Sequence, residues 1–119
     1  MKYSTEEQVI GEWIDGRSVY QKTMVVPIDR SKNVTNYTHG ISNLDQVISY
    51  SGFMQELYEG AVANRFIPQF YYTGDSRYNV SLYSVGKTDM CLVYGKWLME
   101  LALSVTEVYI TLQYTKTTD

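Results

Sequence analysis

Short runs of β-branched and aromatic residues recur along the whole chain, and clusters of Gly, Asn, Asp and Ser separate them. In the clearest run, 108–115, every second residue is apolar, which is typical of a strand with one buried and one wet face. Short strands with turn signals between them predict a sandwich or barrel. We therefore predict an all-β fold: an antiparallel, jelly-roll-like β-sandwich of about eight strands. The predicted strands are 8–14, 19–26, 46–54, 65–72, 79–85, 90–94, 97–103 and 108–115.

Three segments are less decisive. The polar segment 29–36 reads as a loop, and 55–63 reads as a loop or short turn because Gly60 weakens its helical spacing. The segment 97–103 allows a strand or a two-turn helix; we favour the strand, because so short a helix is marginal without packing. Gly52 is compatible with a bulge in its strand.

The segment 12–20 predicts a tight hairpin. Asp15 and Gly16 stand between two β-forming runs, and this pair readily supplies the positive φ angles of a type I′ turn. Trp13 and Tyr20 bracket the turn with large rings. Val9 and Ile10 put apolar groups on both faces of the first strand, so we expect that strand to be covered on both sides.

Size and charge exclude several classes of protein. A chain of 119 residues and 13.7 kDa predicts one domain, 1–119. The formal net charge is −3 and the Lys and Arg residues are scattered, which argues against nucleic-acid binding and a polybasic membrane surface. The N-terminus has no apolar run, so we predict no signal peptide, and no stretch is long enough to insert into a membrane.

The residue types give no catalytic constellation. Cys91 and His39 are the only residues of their kinds, so we expect no disulfide, no metal site and no cofactor. Cys91 is interpreted as a small buried hydrophobe. His39, followed by Gly40, is expected to satisfy backbone groups at a strand start. Paired carboxylates can meet in space without a sequence signal, but none stands out here, and we predict no enzyme activity.

Aromatic residues are the remaining candidates for binding. The chain has 12 tyrosines and 3 phenylalanines, a ratio that favours rings at sheet surfaces, subunit interfaces or sugar-binding faces. We propose Tyr71, Tyr72, Asp75, Arg77 and Tyr78, around a predicted turn, as a ligand-binding set that suits a sugar. The alternative is that these rings pack inside the sandwich or at a subunit contact.

Three stretches, 3–23, 39–45 and 108–119, resemble a module of bacteriophage and prophage virion proteins, described as tail-fibre, baseplate or head-fibre tips. The resemblance implies a virion appendage domain made in the bacterial cytoplasm, commonly homotrimeric, that assembles with other virion proteins and contacts host cell-surface glycans. Trp13, Asp15, Gly16, Tyr20, His39 and Gly40 are then fold-defining. The alternatives are a monomeric carbohydrate-binding module and, third, a cell-surface polysaccharide hydrolase.

Overall fold

The computed structural model describes residues 3–68 and 79–117. Its strands are β1 Gln8–Glu12, β2 Ser18–Pro27, β3 Val34–Thr38, β4 Leu44–Tyr58, β5 Ala61–Ile67, β6 Val80–Val85, β7 Asp89–Tyr94 and β8 Glu107–Lys116. The larger sheet has the order β1-β2-β8-β4-β5 and the smaller sheet the order β3-β7-β6. Every pair is antiparallel. The predicted all-β sandwich is confirmed. β2 pairs with β8 in the larger sheet, and the next strand, β3, pairs with β7 in the smaller sheet. This order of pairing is jelly-roll-like.

The core forms where the alternating faces of the two sheets meet. Val108, Ile110 and Leu112 of β8 are buried and share one cluster with Met90 and Leu92 of β7. Burying each such side chain stabilises the fold by about 1.5–3 kcal/mol. The same alternation turns Cys91 outward on β7, where it is half-buried, so its interpretation as a core residue was wrong.

The first hairpin forms as predicted, but its turn is of another type. Gly16 has a φ of +87°, whereas Asp15 does not have a positive φ. Gly16 N–H donates to Trp13 O at 2.9 Å and Trp13 N–H to Arg17 O at 2.8 Å, which closes a three-residue loop and not a type I′ turn. The Asp15 carboxylate accepts the Arg17 N–H at 3.0 Å and holds this loop. Beyond it, β1 is not covered on both sides, because Val9 is 63% exposed.

The segment 55–63, predicted as a loop or short turn, is the tip of a hairpin: two strand ends joined by a short turn. β4 continues to Tyr58, and Glu59 and Gly60, with φ angles of +49° and +80°, form the two-residue turn to β5. Gly60, which weakens a helix, supplies a positive φ that this turn needs. Gly52 is no bulge: it pairs in register with Ile67 and Ile110, and a Cβ there would lie 2.9 Å from Ile110 Cδ1. It is glycine because the core approaches its backbone.

Two further predictions were wrong because long-range contacts decided them. The polar segment 29–36 contains the start of β3, which forms by pairing with β7. The favoured strand at 97–103 is a single turn of π-helix, Trp97–Leu101, that buries Trp97 and Leu98. Arg30 donates to the carbonyls of Leu98 at 3.2 Å, of Ala102 at 2.7 Å and of Val105 at 2.5 Å, which satisfies backbone groups that a sheet would otherwise pair.

Candidate functional site

The five residues proposed for ligand binding, Tyr71, Tyr72, Asp75, Arg77 and Tyr78, lie outside the described residues. The six residues interpreted as fold-defining are all described. Trp13, Asp15 and Gly16 form the first turn, as given above. The pKa of Asp15 is lowered by the backbone N–H of Arg17 that it accepts. Arg17 also donates to Asp45 at 2.6 Å, and this contact raises the pKa of its guanidinium and ties the first hairpin to the start of β4.

Tyr20 belongs to a cluster that we call the closed end: Glu7, Tyr20, Tyr114 and Lys116. Tyr20 stacks on Tyr114 with ring centroids 5.9 Å apart, and Lys116 Nζ lies 4.8 Å from the centre of the Tyr20 ring. Glu7 accepts a hydrogen bond from the Tyr114 hydroxyl at 2.5 Å and one from Lys116 Nζ at 2.6 Å. Burial raises the pKa of Tyr114, and the bond to Glu7 raises it further. The cluster fastens the N-terminal segment to the last strand.

His39 is buried, and both of its ring nitrogens are hydrogen-bonded. Nδ1 accepts the Ile41 N–H at 3.0 Å, so Nε2 carries the hydrogen and donates to Gly86 O at 2.7 Å. Gly40 follows with a φ of +71°. The Lys22 ammonium donates to the carbonyl of His39 at 2.7 Å. In this arrangement the imidazole joins the β3–β4 connection to the β6–β7 turn.

A groove of about 620 Å³ opens beside the helical turn. Most of the area that its lining exposes is apolar, with polar groups and charges of both signs among the lining residues: Arg30, Asn33, Asn79, Ser81, Val93, Tyr94, Gly95, Lys96, Met99 and Glu100. Arg30 is already bonded to backbone carbonyls. Burial raises the pKa of the Tyr94 hydroxyl, which interacts electrostatically with Thr35, although neither makes a hydrogen bond of normal geometry. The groove therefore combines an apolar lining with amide and charged groups, a setting that suits a small ligand.

Three exposed apolar side chains lie on the β4–β5 hairpin. We call them the hairpin surface: Leu57, Val62 and Phe66, which are 61%, 63% and 69% exposed. Leu57 pairs directly with Val62, and all three side chains point to the outer face of the larger sheet, away from the core. The amide pair Gln55 and Asn64 stands between Leu57/Val62 and Phe66 on the same face. Grouped exposed apolar side chains are typical of protein contacts, so the hairpin surface is a candidate contact surface.

The hairpin surface continues into a row of apolar side chains, three of them aromatic, across the larger sheet. Val25, Tyr109, Phe53 and Phe66 stand opposite one another on β2, β8, β4 and β5. Phe53 and Tyr109 stack with centroids 4.9 Å apart. Along this row the side chains pass from half-buried on β2, β8 and β4 to exposed on β5. The half-buried side chains of the row lie beside Phe66 and extend the hairpin surface across the sheet.

The hairpin is held from its inner side by polar contacts. Arg65 pairs with Glu56 at 3.0 Å and lies 5.7 Å from the centre of the Tyr58 ring. The Leu57 N–H donates to Ser104 Oγ, in the segment that precedes β8, at 2.9 Å. Leu101 and Leu103, near that serine in sequence, are also exposed. The hairpin is therefore presented as a fixed structure and not as a loose loop.

The hairpin surface was not predicted from the sequence, because 55–63 was interpreted as a loop or short turn. The signal was nevertheless present, since Glu59 and Gly60 lie between two runs that place Leu57 and Val62 at equal distances from the turn. Within 3–68 and 79–117, no group of His, Cys, Asp or Glu side chains is arranged to hold a metal ion. Over the same residues, no helix has the length and apolar character needed to span a membrane.

No family model, curated protein or solved structure was found to match the chain.

Proposed function

We propose that this chain is a non-enzymatic structural domain that associates with copies of itself, as part of an appendage of a bacteriophage particle. The observation that carries the self-association is the hairpin surface. The resemblance of 3–23, 39–45 and 108–119 to phage tail-fibre, baseplate and head-fibre modules supplies the virion context. In that context the domain serves appendage assembly or attachment to the host surface.

The geometry of the hairpin surface favours a protein partner. Phe66 is the most exposed of its three side chains, and large aromatic residues are enriched at protein interfaces. Its side chains project from two hydrogen-bonded strands, so little conformational freedom is lost when a partner covers them. Small β domains commonly gain stability by associating with their own copies.

The proposal is tested by the mass of the purified chain in solution. Size-exclusion chromatography with light scattering should give a whole multiple of 13.7 kDa. The resemblance implies three copies, and the hairpin surface by itself requires at least two. Phe66→Ser should lower the mass. Tyr83→Ser, which removes a 76% exposed ring on the smaller sheet, is the matched control and should not lower it. A strict monomer at micromolar concentration contradicts self-association.

The virion context has its own test. Mass spectrometry of particles purified from the source strain after prophage induction should detect this chain alongside the major structural proteins. Its absence from complete particles would contradict the appendage role and leave the self-association untouched.

The groove beside the helical turn favours a second candidate function, a carbohydrate-binding module. Amide, hydroxyl and charged groups beside an apolar lining are the combination typical of small-ligand sites. A glycan array tests this candidate. If glycans bind in the groove, Ser81→Trp should abolish binding by filling it, whereas Tyr71→Ala and Tyr72→Ala should abolish binding if the sequence-predicted set is the site.

A further inference from the structure

The outer edge of β5 pairs with no other strand among the described residues. The hairpin closes with Tyr58 opposite Ala61 around a two-residue turn, and such a closing pair exchanges both backbone hydrogen bonds. Because hydrogen-bonded pairs alternate along antiparallel strands, the backbone N–H and C=O groups of Val62, Asn64 and Phe66 point away from β4. These groups form a ready template for another strand.

This edge has few of the features that usually prevent strand pairing. Natural edge strands are protected by charged side chains, above all lysine, by proline, by bulges or by short length. β5 has seven residues in unbroken register with β4, with no proline and no lysine among them. Its one charged residue, Arg65, forms an ion pair with Glu56 at 3.0 Å. A seven-residue edge without a bulge, beside exposed Val62 and Phe66, is therefore open to pairing with another strand.

We propose that the partner is a second copy of the chain, whose β5 pairs antiparallel with this β5 around a two-fold axis at Asn64. This inference rests on the proposed self-association and specifies its geometry. With Asn64 opposite the partner's Asn64, Val62 stands opposite the partner's Phe66. All the outward backbone groups of these residues then find a partner, and the two larger sheets join into one continuous sheet.

The side chains on the outer face match in this register. The row that contains Phe53 and Phe66 continues into the partner's Val62 and Leu57, so apolar side chains meet apolar side chains. Gln55 already donates to Asn64 Oδ1 at 3.2 Å, and this pair of amides continues into the same pair of the partner. Cross-strand pairs of matching character are the units that stabilise a sheet. The edge is thus complementary to itself.

The neighbouring registers are worse. A two-fold axis at Arg65 would place two arginines directly opposite each other and bring Pro68, which has no N–H, opposite Val62. An axis at Ala63 would place Phe66 opposite Gly60, which lies in the turn with a φ of +80° and cannot continue the ladder. The axis at Asn64 alone uses the full edge and places Arg65 opposite the partner's Ala63.

Charge variants at the axis test this geometry with the full chain. Asn64→Lys and Asn64→Glu each place like charges opposite each other across the two-fold axis, and each should raise the dissociation constant of the dimer on the order of a hundredfold. An equimolar mixture of the two variants should restore a mass of two chains, because lysine then stands opposite glutamate. Asn36→Lys, at an exposed position on the edge strand β3, is the matched control and should leave the dimer intact.

The outcomes separate this inference from the proposal on which it rests. A dimer that both Asn64 variants weaken and their mixture restores supports the β5 pairing. A dimer or trimer whose mass is unchanged in both variants overturns the β5 pairing and leaves self-association standing. A wild-type trimer, as the resemblance implies, overturns the two-fold axis. A wild-type monomer at micromolar concentration overturns both.

Discussion

The closed end and the hairpin surface lie at opposite ends of the larger sheet and differ in what their side chains contact. β4 runs from one end to the other, with its first residue, Leu44, opposite Lys116 and its last, Tyr58, at the turn into β5. At the closed end the charges and the hydroxyl of Tyr114 are bonded to one another within the chain. At the hairpin end, Leu57, Val62 and Phe66 remain exposed. The first end completes the fold, and the second leaves apolar side chains in contact with solvent.

The difference follows from what each end leaves unsatisfied. A carboxylate shared by an ammonium and a hydroxyl already accepts one hydrogen bond at each oxygen, and the ammonium offsets its charge. An exposed apolar side chain and an unpaired strand edge both gain free energy when another surface covers them. Substitutions at the closed end should therefore act on stability, and those on the hairpin surface on association.

The largest effect is expected from truncating the ring at the closed end. Tyr114→Ala should lower the free energy of unfolding by about 3–5 kcal/mol, because a large buried ring is lost and a cavity remains. Phe66→Ala, measured on the monomer at high dilution, should change it by about 0.5 kcal/mol or less, as for other exposed positions. Urea unfolding measures both. Equal losses of unfolding free energy in the two variants would contradict the view that the closed end stabilises the fold and the hairpin surface does not.

Removing the Arg30 guanidinium from the helical turn should have the next largest effect. Arg30→Met leaves the carbonyls of Leu98, Ala102 and Val105 without this donor. We expect a loss of about 2–3 kcal/mol, since unsatisfied buried groups cost about 1–3 kcal/mol each and water can reach part of the site. Lys32→Met, at a nearby exposed position, is the control. A loss confined to association would show that Arg30 supports the hairpin and not the fold.

A smaller effect should distinguish two buried tyrosine hydroxyls. Tyr114→Phe removes a hydrogen bond to the carboxylate of Glu7 and should cost about 1.5–3 kcal/mol. Tyr94→Phe removes a hydroxyl that makes no hydrogen bond and should leave stability unchanged or slightly raised. Thermal unfolding of the two variants and the wild type measures the difference. A clear loss in Tyr94→Phe would reveal a partner for that hydroxyl.

The smallest effect is a dependence on high pH. Burial raises the pKa of Tyr114 in the folded chain above that of an unfolded tyrosine, about 10. Above that pH the unfolded chain releases the proton first, so it binds fewer protons than the folded chain and stability falls as pH rises. The fall should be up to about 1.4 kcal/mol per pH unit and should be smaller in Tyr114→Phe. Urea midpoints between pH 9 and 11 would test this, and no difference between the two proteins would contradict it.

Local patterns predicted the parts of the fold that local forces control. The alternation at 108–115 indicated β8, and Asp15 with Gly16 indicated the first hairpin. The turn type was wrong because the Asp15 side chain bonds to Arg17 and makes a longer loop. The helical turn was missed because its carbonyls are held by Arg30, which is distant in sequence. The hairpin surface was missed because a single glycine, Gly60, fits both a broken helix and a tight turn.

The sequence by itself determined the fold class, since alternation with a period of two and frequent turn residues favour strands whatever their partners. It also determined which side chains of β8 face inward. Only the tertiary structure decided that 29–36 contributes a strand, that 97–103 does not, and that β5 is the last strand of the larger sheet among residues 3–68 and 79–117. These outcomes depend on which backbone groups find partners far along the chain, and hydrogen bonds between distant segments leave no periodic trace in the residues that make them.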